Sequence, residues 1–514
     1  MSSSKRGSWG NSFTFILAAV GSAVGLGNAW RFPGLASKYG GGTFLLIYFV
    51  LMLIMGVPLL MMEISIGRKT RSGVIPALGS LNKKFQWIGW AATTNAFVIV
   101  TYYAVVFAWV ILMAALSFKF ASMTGNSEAA SSLWATSIQT TGTTSGFLNI
   151  STLSLLALLV AWALIYYCIR NGASSVGKVV KYTVFIPIIC LIVMAIKGIT
   201  MPGGVDGLIK LFKPDLSILK TPNIWIDACG QVFYSLSIMM AIMFAYGSYL
   251  PEETNIARDG LIIAFSDLAI SVLSGIVMFT TMGGVGMMDK ISDSGVATAF
   301  IIYPQAIVHL TNNGVVNAIF AFVFYLCLCT LAIDSAFSIV EGVSASISDK
   351  YRIDAKKTTI LICSISGIIS ILFTTQAGLA CLDIVDYYAN SINLVFIGIC
   401  ETVAIGWFFK PKKMLNEINR NSTKFKMNST WFIVSIKFVA PVILISFFIW
   451  NIYSLIAKSN GIYGAGDGYS LTCNVILGWS MSLLVAFSGL IAFIIEKAKK
   501  VDKKYIPTNW DDIK

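Results

Sequence analysis

The 514-residue chain is poor in the side chains from which soluble enzymes build catalytic and metal centres. It has one histidine, His309, and charged residues make up only 12% of it. Nine cysteines are spread through mainly apolar sequence without a CxxC pair, so we expect neither a zinc or haem site nor a disulfide framework. The chain also lacks an HExxH motif, a nucleophile paired with a base and a cofactor-binding loop. These absences indicate that the protein is not an enzyme.

Apolar sequence is what the chain has in abundance. Hydrophobic residues make up 56% of it and the mean hydropathy is +0.78, which is far too apolar for a soluble globular protein. Apolar windows of about 20 residues mark membrane-spanning helices, and twelve such windows occur. They cover residues 12–36, 43–67, 88–117, 151–169, 179–199, 223–250, 260–285, 314–347, 358–374, 380–409, 431–456 and 471–496. The sequence therefore predicts an all-α, polytopic protein of the lipid bilayer.

The net charge of +13 is explained by membrane topology, and we expect no nucleic-acid partner. Twelve spans place both termini on one side of the membrane, and most of the 37 lysines and arginines fall on that side. Because cytoplasmic loops are enriched in positive charge, we expect both termini to be cytoplasmic and the protein to be a multi-pass plasma (inner) membrane protein. The short outer loop between the third and fourth spans is more typical of a bacterial protein than of an animal one.

The first span is interrupted by the segment GSAVGLGNAWRFP at residues 21–33. Gly21, Gly25 and Gly27 each weaken a helix by about 1 kcal/mol, and bare backbone at membrane depth occurs only where it lines a cavity or is buried in protein. Gly21 and Gly25 alone would also suit a packing face for a neighbouring helix. Asn28 and Arg31 favour a broken helix, because a packing face needs neither an amide nor a guanidinium in the bilayer.

The sixth span is also polar in its middle, at residues 230–237. It lies five spans after the first, and an odd offset inverts the orientation of a helix in the membrane. We therefore predict a 5+5 inverted repeat in which helices 1 and 6 are broken and a binding site lies between them. The repeat units would be residues 1–200 and 201–410, followed by the eleventh and twelfth helices and a cytoplasmic tail in 411–514.

Two carboxylates lie at mid-span without a nearby basic residue. They are Asp267 and Asp334, the latter followed by Ser335. Buried carboxylates of this kind suggest hard cations such as Na⁺, whereas the alternative is that both acids are protonated. We interpret Glu63 and Glu341, nearer helix ends or packing faces, as structural.

The interrupted first span, together with Gly40–Gly42, Gly230–Gln231 and Asp334–Ser335, resembles the neurotransmitter:sodium symporter family, in particular its bacterial amino-acid transporters of the leucine-transporter fold. The resemblance extends over the first ten spans and implies two sodium sites. The first would use the Ala23 carbonyl, Asn28, Ser235, Asp267 and the substrate carboxylate. The second would use the Gly21, Val24 and Leu331 carbonyls with Asp334 and Ser335.

The same resemblance implies a substrate site and two gates. The substrate would contact Ser22, Ala23, Gly27, Ile99, Tyr103, Tyr234, Ser235, Ser237, Met240, Ser335 and Ile339, with Tyr103 holding its carboxylate. Arg31 and Asp386 would form the outer gate above a lid of Tyr103 and Tyr234. The inner gate would consist of Arg6, Trp9 and Asp349. Gly177 and Pro187 match the pair in the fifth span whose unwinding would hydrate the second sodium site.

Departures from the family pattern refine these expectations. Family members that carry amines have an aspartate where Gly25 stands, so this substrate is expected to bring its own carboxylate and to be an amino acid. Asp267 replaces the family's usual asparagine. Its fixed charge predicts chloride independence, even though residues at the family's chloride-binding positions are present; these are Tyr48, Gln231, Ser235 and Ser271. Where the family usually has glycines, the sixth span has residues 237–241 with the flexible side chain of Met240.

These features predict a sodium-coupled symporter that imports a hydrophobic or aromatic L-amino acid by alternating access. We expect tyrosine or tryptophan to be preferred slightly to leucine. Two alternatives remain at this stage: a proton-coupled carrier that uses Asp267 and Asp334 as proton sites, and a membrane amino-acid sensor or channel. The sequence leaves the oligomeric state open.

Overall fold

A computed structural model describes residues 7–292, 294–498 and 510–513 of the chain. These residues form helices and no β-strand, which confirms the all-α prediction. Ten continuous helices are long and apolar enough to cross a membrane. They are α3 (Gly42–Thr70), α4 (Lys83–Met123), α5 (Thr152–Ile169), α6 (Ala173–Ile199), α9 (Ile256–Gly284), α10 (Gly314–Tyr351), α11 (Ala355–Thr374), α12 (Gly378–Phe408), α13 (Ser429–Ala457) and α14 (Leu471–Ala498).

The two remaining predicted spans, the first and the sixth, are each divided into two helices, and among the described residues only the first pair is long and apolar enough to count as an eleventh span. The first consists of α1 (Ser12–Ala23) and α2 (Gly27–Lys38), which meet at an angle of 54°. The sixth consists of α7 (Pro222–Ser235) and α8 (Ile242–Ser248). The helices that the sequence predicts to be broken are therefore the ones that the structure divides.

The glycines at the first break let α10 approach the backbone closely. A Cβ atom on Gly21 would lie 2.6 Å from the Asp334 carboxylate, and one on Gly25 would lie 2.6 Å from the Ser335 hydroxyl. Both distances are too short for a side chain to be accommodated without movement. The glycines therefore do form a close-packed face, but polar groups of α10 approach it, and the chain leaves the helix at Val24.

The break in the sixth span forms without glycine. Ser237, Met239 and Ala241 have φ angles of 52°, 64° and 64°, and each such angle costs a residue with a side chain about 1 kcal/mol or more. Two contacts hold the unwound segment in place. Glu63 of α3 accepts a hydrogen bond from the Met239 N–H at 2.6 Å, and the Ser237 hydroxyl donates to the Ser22 carbonyl at 2.8 Å.

Helix α13, the eleventh span, packs against a bulge in α3, the second span. A π-helical turn in α3 precedes Pro58, which has no N–H to donate to a carbonyl of the preceding turn. The exposed carbonyls of Leu53 and Ile54 accept hydrogen bonds from Trp431 Nε1 at 3.1 Å and Ser435 Oγ at 2.5 Å. Helix α13 therefore satisfies backbone groups that lipid could not.

Short helices cover the ends of the bundle, and apolar side chains cover its sides. The short helices are Val74–Leu81, Ser127–Ile138, Gly204–Phe212, Gly295–Ile307 and Pro411–Asn419. Leucines such as Leu156 and Leu159 of α5 are more than half exposed on the outer surface. In a bilayer these side chains face lipid, so their exposure carries no cost in free energy.

Candidate functional site

A small cavity lies between the two helix breaks. Its walls come from α1, the unwound segments, α4 and α10. The lining residues are Ser22, Ala23, Gly25, Asn28, Ile99, Tyr103, Tyr234, Ser237, Met240, Ser335 and Ile339. All of the residues predicted to contact the substrate therefore line one cavity, except Gly27 and Ser235.

Gly27 and Ser235 lie just behind the cavity wall. Gly27 packs against the ring of Tyr234, where an added Cβ would lie 2.4 Å from Cε1. The Ser235 hydroxyl points away from the cavity and lies 2.7 Å from the Tyr48 hydroxyl. Gly25 was not among the predicted contacts, although it lines the cavity. Family members that carry amines have an aspartate at this position, and this difference could have identified Gly25 as a residue of the cavity wall.

Several polar atoms around the first break are buried without a hydrogen-bond partner in the described part of the chain. They are the Tyr103 hydroxyl, the Ser22 hydroxyl, Gln231 Oε1 and Asp334 Oδ1. Each unpaired group costs about 1–3 kcal/mol, and more if it is charged. Such a concentration at one place indicates a site that ligands complete.

Asp267 of α9 lies at the centre of the first predicted sodium site. Its Oδ1 accepts a hydrogen bond from Asn28 Nδ2 at 2.6 Å, and its Oδ2 accepts from Tyr48 and Ser235 at 2.9 Å each. Asn28 Nδ2 also donates to the Ser271 hydroxyl at 2.8 Å. Two residues at the family's chloride-binding positions, Tyr48 and Ser235, therefore contact the carboxylate directly, and a third, Ser271, contacts it through Asn28. The fourth, Gln231, donates to the carbonyl of Gly27 at 3.3 Å.

The second predicted sodium site lies where α1 ends against α10. Asp334 faces Gly21 across the interface, and its Oδ1 is the unpaired atom noted above. The Ser335 hydroxyl bonds the Ser22 carbonyl at 3.3 Å and the Leu331 carbonyl at 3.5 Å. Val24, whose carbonyl is the remaining predicted ligand, is the residue at which α1 ends. An oxygen-rich site with one carboxylate suits a hard monovalent cation.

A wider vestibule of about 360 Å³ lies above the cavity on the side of Arg31. Tyr103 and Tyr234 line both spaces and separate them. Arg31 and Asp386, the predicted outer gate, both line the vestibule, yet no ion pair within 4 Å joins them among the described residues. The Arg31 guanidinium instead lies 5.9 Å from the centre of the Tyr234 ring. Arg31 and Asp386 are therefore not paired in this conformation.

The opposite side of the cavity is closed. Trp9 is only 2% exposed, and its Nε1 donates to the Tyr246 carbonyl at 2.9 Å. Asp349 accepts a hydrogen bond from the Gly73 N–H at 2.7 Å. Arg6, the third residue predicted for the inner gate, lies outside the described residues. Gly177 of α6 packs against α1, where an added Cβ would lie 2.8 Å from the Thr14 methyl group.

Comparison with protein-family models gives a match to the sodium:neurotransmitter symporter family over residues 6–126 and 121–500. The chain belongs to this family. An uncharacterised sodium-dependent transporter of Methanocaldococcus jannaschii is 31% identical over 98% of this chain and 99% of its own length. The sodium- and chloride-dependent GABA transporter 2 of Macaca fascicularis is 30% identical over 80% of this chain and 74% of its own length.

A solved structure has the same fold. The crystal structure of MhsT in complex with L-phenylalanine covers 86% of this chain and 99% of its own chain, with 25% sequence identity and a TM-score of 0.74. The family and fold predicted from the sequence are therefore confirmed. The protein is a multi-pass membrane protein of a sodium-dependent symporter family, whose members in these comparisons are transporters and not enzymes.

Proposed function

We propose that this symporter couples the inward flow of sodium to the uptake of a hydrophobic or aromatic L-amino acid, and that it does not require chloride. The observation that carries the proposal is the composition of the cavity and its two adjoining carboxylates. The cavity is lined by the unpaired Tyr103 hydroxyl and by apolar side chains. Asp267 and Asp334 lie beside the cavity and do not line it.

The lining supports a substrate that brings its own carboxylate. No acidic side chain lines the described cavity, so an amine group would find no fixed counter-charge there. The Tyr103 hydroxyl is buried beside Gly25 and is unpaired, and a substrate carboxylate would accept its hydrogen bond. Ile99, Met240 and Ile339 form an apolar wall on which a bulky side chain would pack.

The surroundings of Asp267 support chloride independence. In a chloride-dependent carrier a bound anion would offset the charge of the nearby sodium ion. Here Tyr48 and Ser235 already donate their hydrogen bonds to a carboxylate, which supplies that negative charge permanently. The relative from Macaca fascicularis is by name chloride-dependent, so the two proteins are expected to differ in this property.

The two helix breaks support an alternating-access mechanism. The first proposed sodium site joins the unwound part of the first span to α7 and α9, and the second joins α1 to α10. Sodium would favour the arrangement in which these elements are close together. Closure of Arg31 onto Asp386 would then seal the vestibule. Unwinding of α6 near Gly177 and Pro187 would admit water to the second site, releasing sodium and then the substrate on the side of the termini, which we propose is cytoplasmic.

The test is uptake of radiolabelled tyrosine, tryptophan, phenylalanine and leucine into proteoliposomes under an inward sodium gradient. One arm replaces chloride with gluconate, and one replaces the sodium gradient with a pH gradient. We expect uptake that needs sodium and is unchanged in gluconate. Uptake driven by the pH gradient without sodium would contradict the proposal and favour the proton-coupled carrier, for which the unpaired Oδ1 of Asp334 is the specific observation. Binding without concentrative uptake would favour a sensor or channel.

A further inference from the structure

The Arg31 guanidinium is open to a new partner in this conformation. Among the described residues it forms neither an ion pair within 4 Å nor a hydrogen bond, and it lies 5.9 Å from the centre of the Tyr234 ring. It lines a narrow side pocket next to the vestibule, walled by Phe233, Leu394, Val395 and Phe447. Its Nη2 comes within 3.9 Å of the position that a Cβ on Gly230 would occupy.

Asn390 of α12 lines both this side pocket and the vestibule. Its Nδ2 donates to Asp386 Oδ1 at 2.8 Å and to the Tyr102 hydroxyl at 3.1 Å. An ionised carboxylate can only accept a hydrogen bond, so the contact with Asp386 fixes the orientation of the amide. The amide oxygen of Asn390 must therefore face the other way.

That oxygen is buried and has no hydrogen-bond partner among the described residues. An acceptor without a donor and a guanidinium without an acceptor thus line the same two spaces. A guanidinium carries five N–H groups in a fixed plane and can bind two acceptors at once. The carboxylate of Asp386 and the amide oxygen of Asn390 belong to residues one helical turn apart on α12.

We propose that Asn390 is a direct partner of Arg31 in the closed outer gate. When the gate closes, Arg31 leaves the side pocket and binds the Asp386 carboxylate and the Asn390 amide oxygen together. Asn390 keeps its Nδ2 on Asp386 throughout, so that it holds the carboxylate in position and also completes the receptor for the guanidinium. This inference rests on the proposed function for the closure of Arg31 onto Asp386 and for the choice of a bound amino acid as the reporter.

The test measures how fast a bound amino acid leaves the sodium-saturated full-length protein in nanodiscs. The reporter is the radiolabelled amino acid that the uptake assay identifies, chased with an excess of the unlabelled compound. Asn390→Ala should release it about tenfold faster, because a hydrogen bond to a charged group is lost from the closed state. Val106→Ala is the control, since Val106 lines the same vestibule without a polar group, and it should leave the rate unchanged.

Two double variants separate direct contact from an effect through Asp386. With Asp386→Asn in place, the new amide oxygen can still accept from Asn390 Nδ2, so the Asn390 oxygen still faces Arg31 and Asn390→Ala should still accelerate release about tenfold. With Arg31→Gln in place, Asn390→Ala should change the rate less than about twofold. If the effect of Asn390→Ala disappears in the Asp386→Asn background, Asn390 only positions the carboxylate and the inference is wrong. It is equally wrong if the effect persists in the Arg31→Gln background.

A second reporter needs no substrate. Ser391 lines both spaces and is partly exposed, so the thiol of a Ser391→Cys variant should react with a hydrophilic reagent only while the gate is open. Asn390→Ala should speed this reaction in sodium, and it should have no effect once Arg31→Gln is present. A wild-type protein that binds none of the amino acids contradicts the proposed function, and the labelling rates then decide the role of Asn390 separately.

Discussion

Replacing Asp267 with asparagine isolates the charge beside the first proposed sodium site from its hydrogen bonds. The amide oxygen of the Asp267→Asn variant can take the place of Oδ1 and accept from Asn28, which now bonds Asp267 at 2.6 Å. The amide nitrogen would then face the hydroxyls of Tyr48 and Ser235, which can accept as well as donate. The packing is conserved, and only the negative charge is lost.

The loss of that charge sets the expected size of the effect. A sodium ion about 4 Å from a unit charge gains about 4 kcal/mol at the effective dielectric constant of about 20 that suits protein sites. That corresponds to a fall in sodium affinity of about a thousandfold. Chloride should restore part of the lost sodium affinity, because an anion could then bind near Tyr48, Ser235 and Ser271.

The assay is sodium-dependent binding of a radiolabelled amino acid to the purified variant, titrated once in chloride and once in gluconate. We expect a large loss of sodium affinity in gluconate and a partial recovery in chloride. Adding Ser271→Ala should remove the recovery. Asp334→Asn should also weaken sodium binding but should show no recovery in chloride. Sodium affinity within about threefold of the wild type in gluconate would refute the reasoning, because the assumed charge interaction would be absent.

Three further predictions concern the same region. Tyr103→Phe should lower substrate affinity about 10- to 100-fold without lowering the melting temperature of the substrate-free protein, because its hydroxyl has no partner within the described protein; binding and thermal melting measure the two. Gly21→Ala should weaken sodium dependence, because the new methyl group would lie 2.6 Å from the carboxylate of the second site, and a sodium titration would detect this. Ser435→Ala should destabilise the protein by about 1–3 kcal/mol by leaving the Ile54 carbonyl unpaired. Combining it with Pro58→Ala, which supplies a new N–H to α3, should reduce that cost in denaturation experiments.

The positions of the helices and of both breaks could be predicted from the sequence, because hydropathy and polarity at membrane depth are local properties. The direction in which Ser235 points could not be predicted, since it depends on Tyr48, which lies far away along the chain. The same reason explains why the unwound sixth span is less obvious in the sequence than the first. Its conformation rests on Glu63, which accepts the Met239 N–H and so has the structural role expected for it. The open position of Arg31 is a property of one conformation, and no sequence pattern encodes it.

Coupling between sodium and the substrate follows, on the proposed function, from residues that belong to two sites at once. Asn28 lines the cavity and also donates to Asp267. Ser335, which follows Asp334 in the sequence, also lines the cavity. Its hydroxyl donates to the carbonyl of Ser22 beside the first break. An ion that draws either group toward a carboxylate therefore also fixes part of the cavity wall. Because this coupling is reciprocal, a substrate that fits the wall must in turn tighten the binding of sodium.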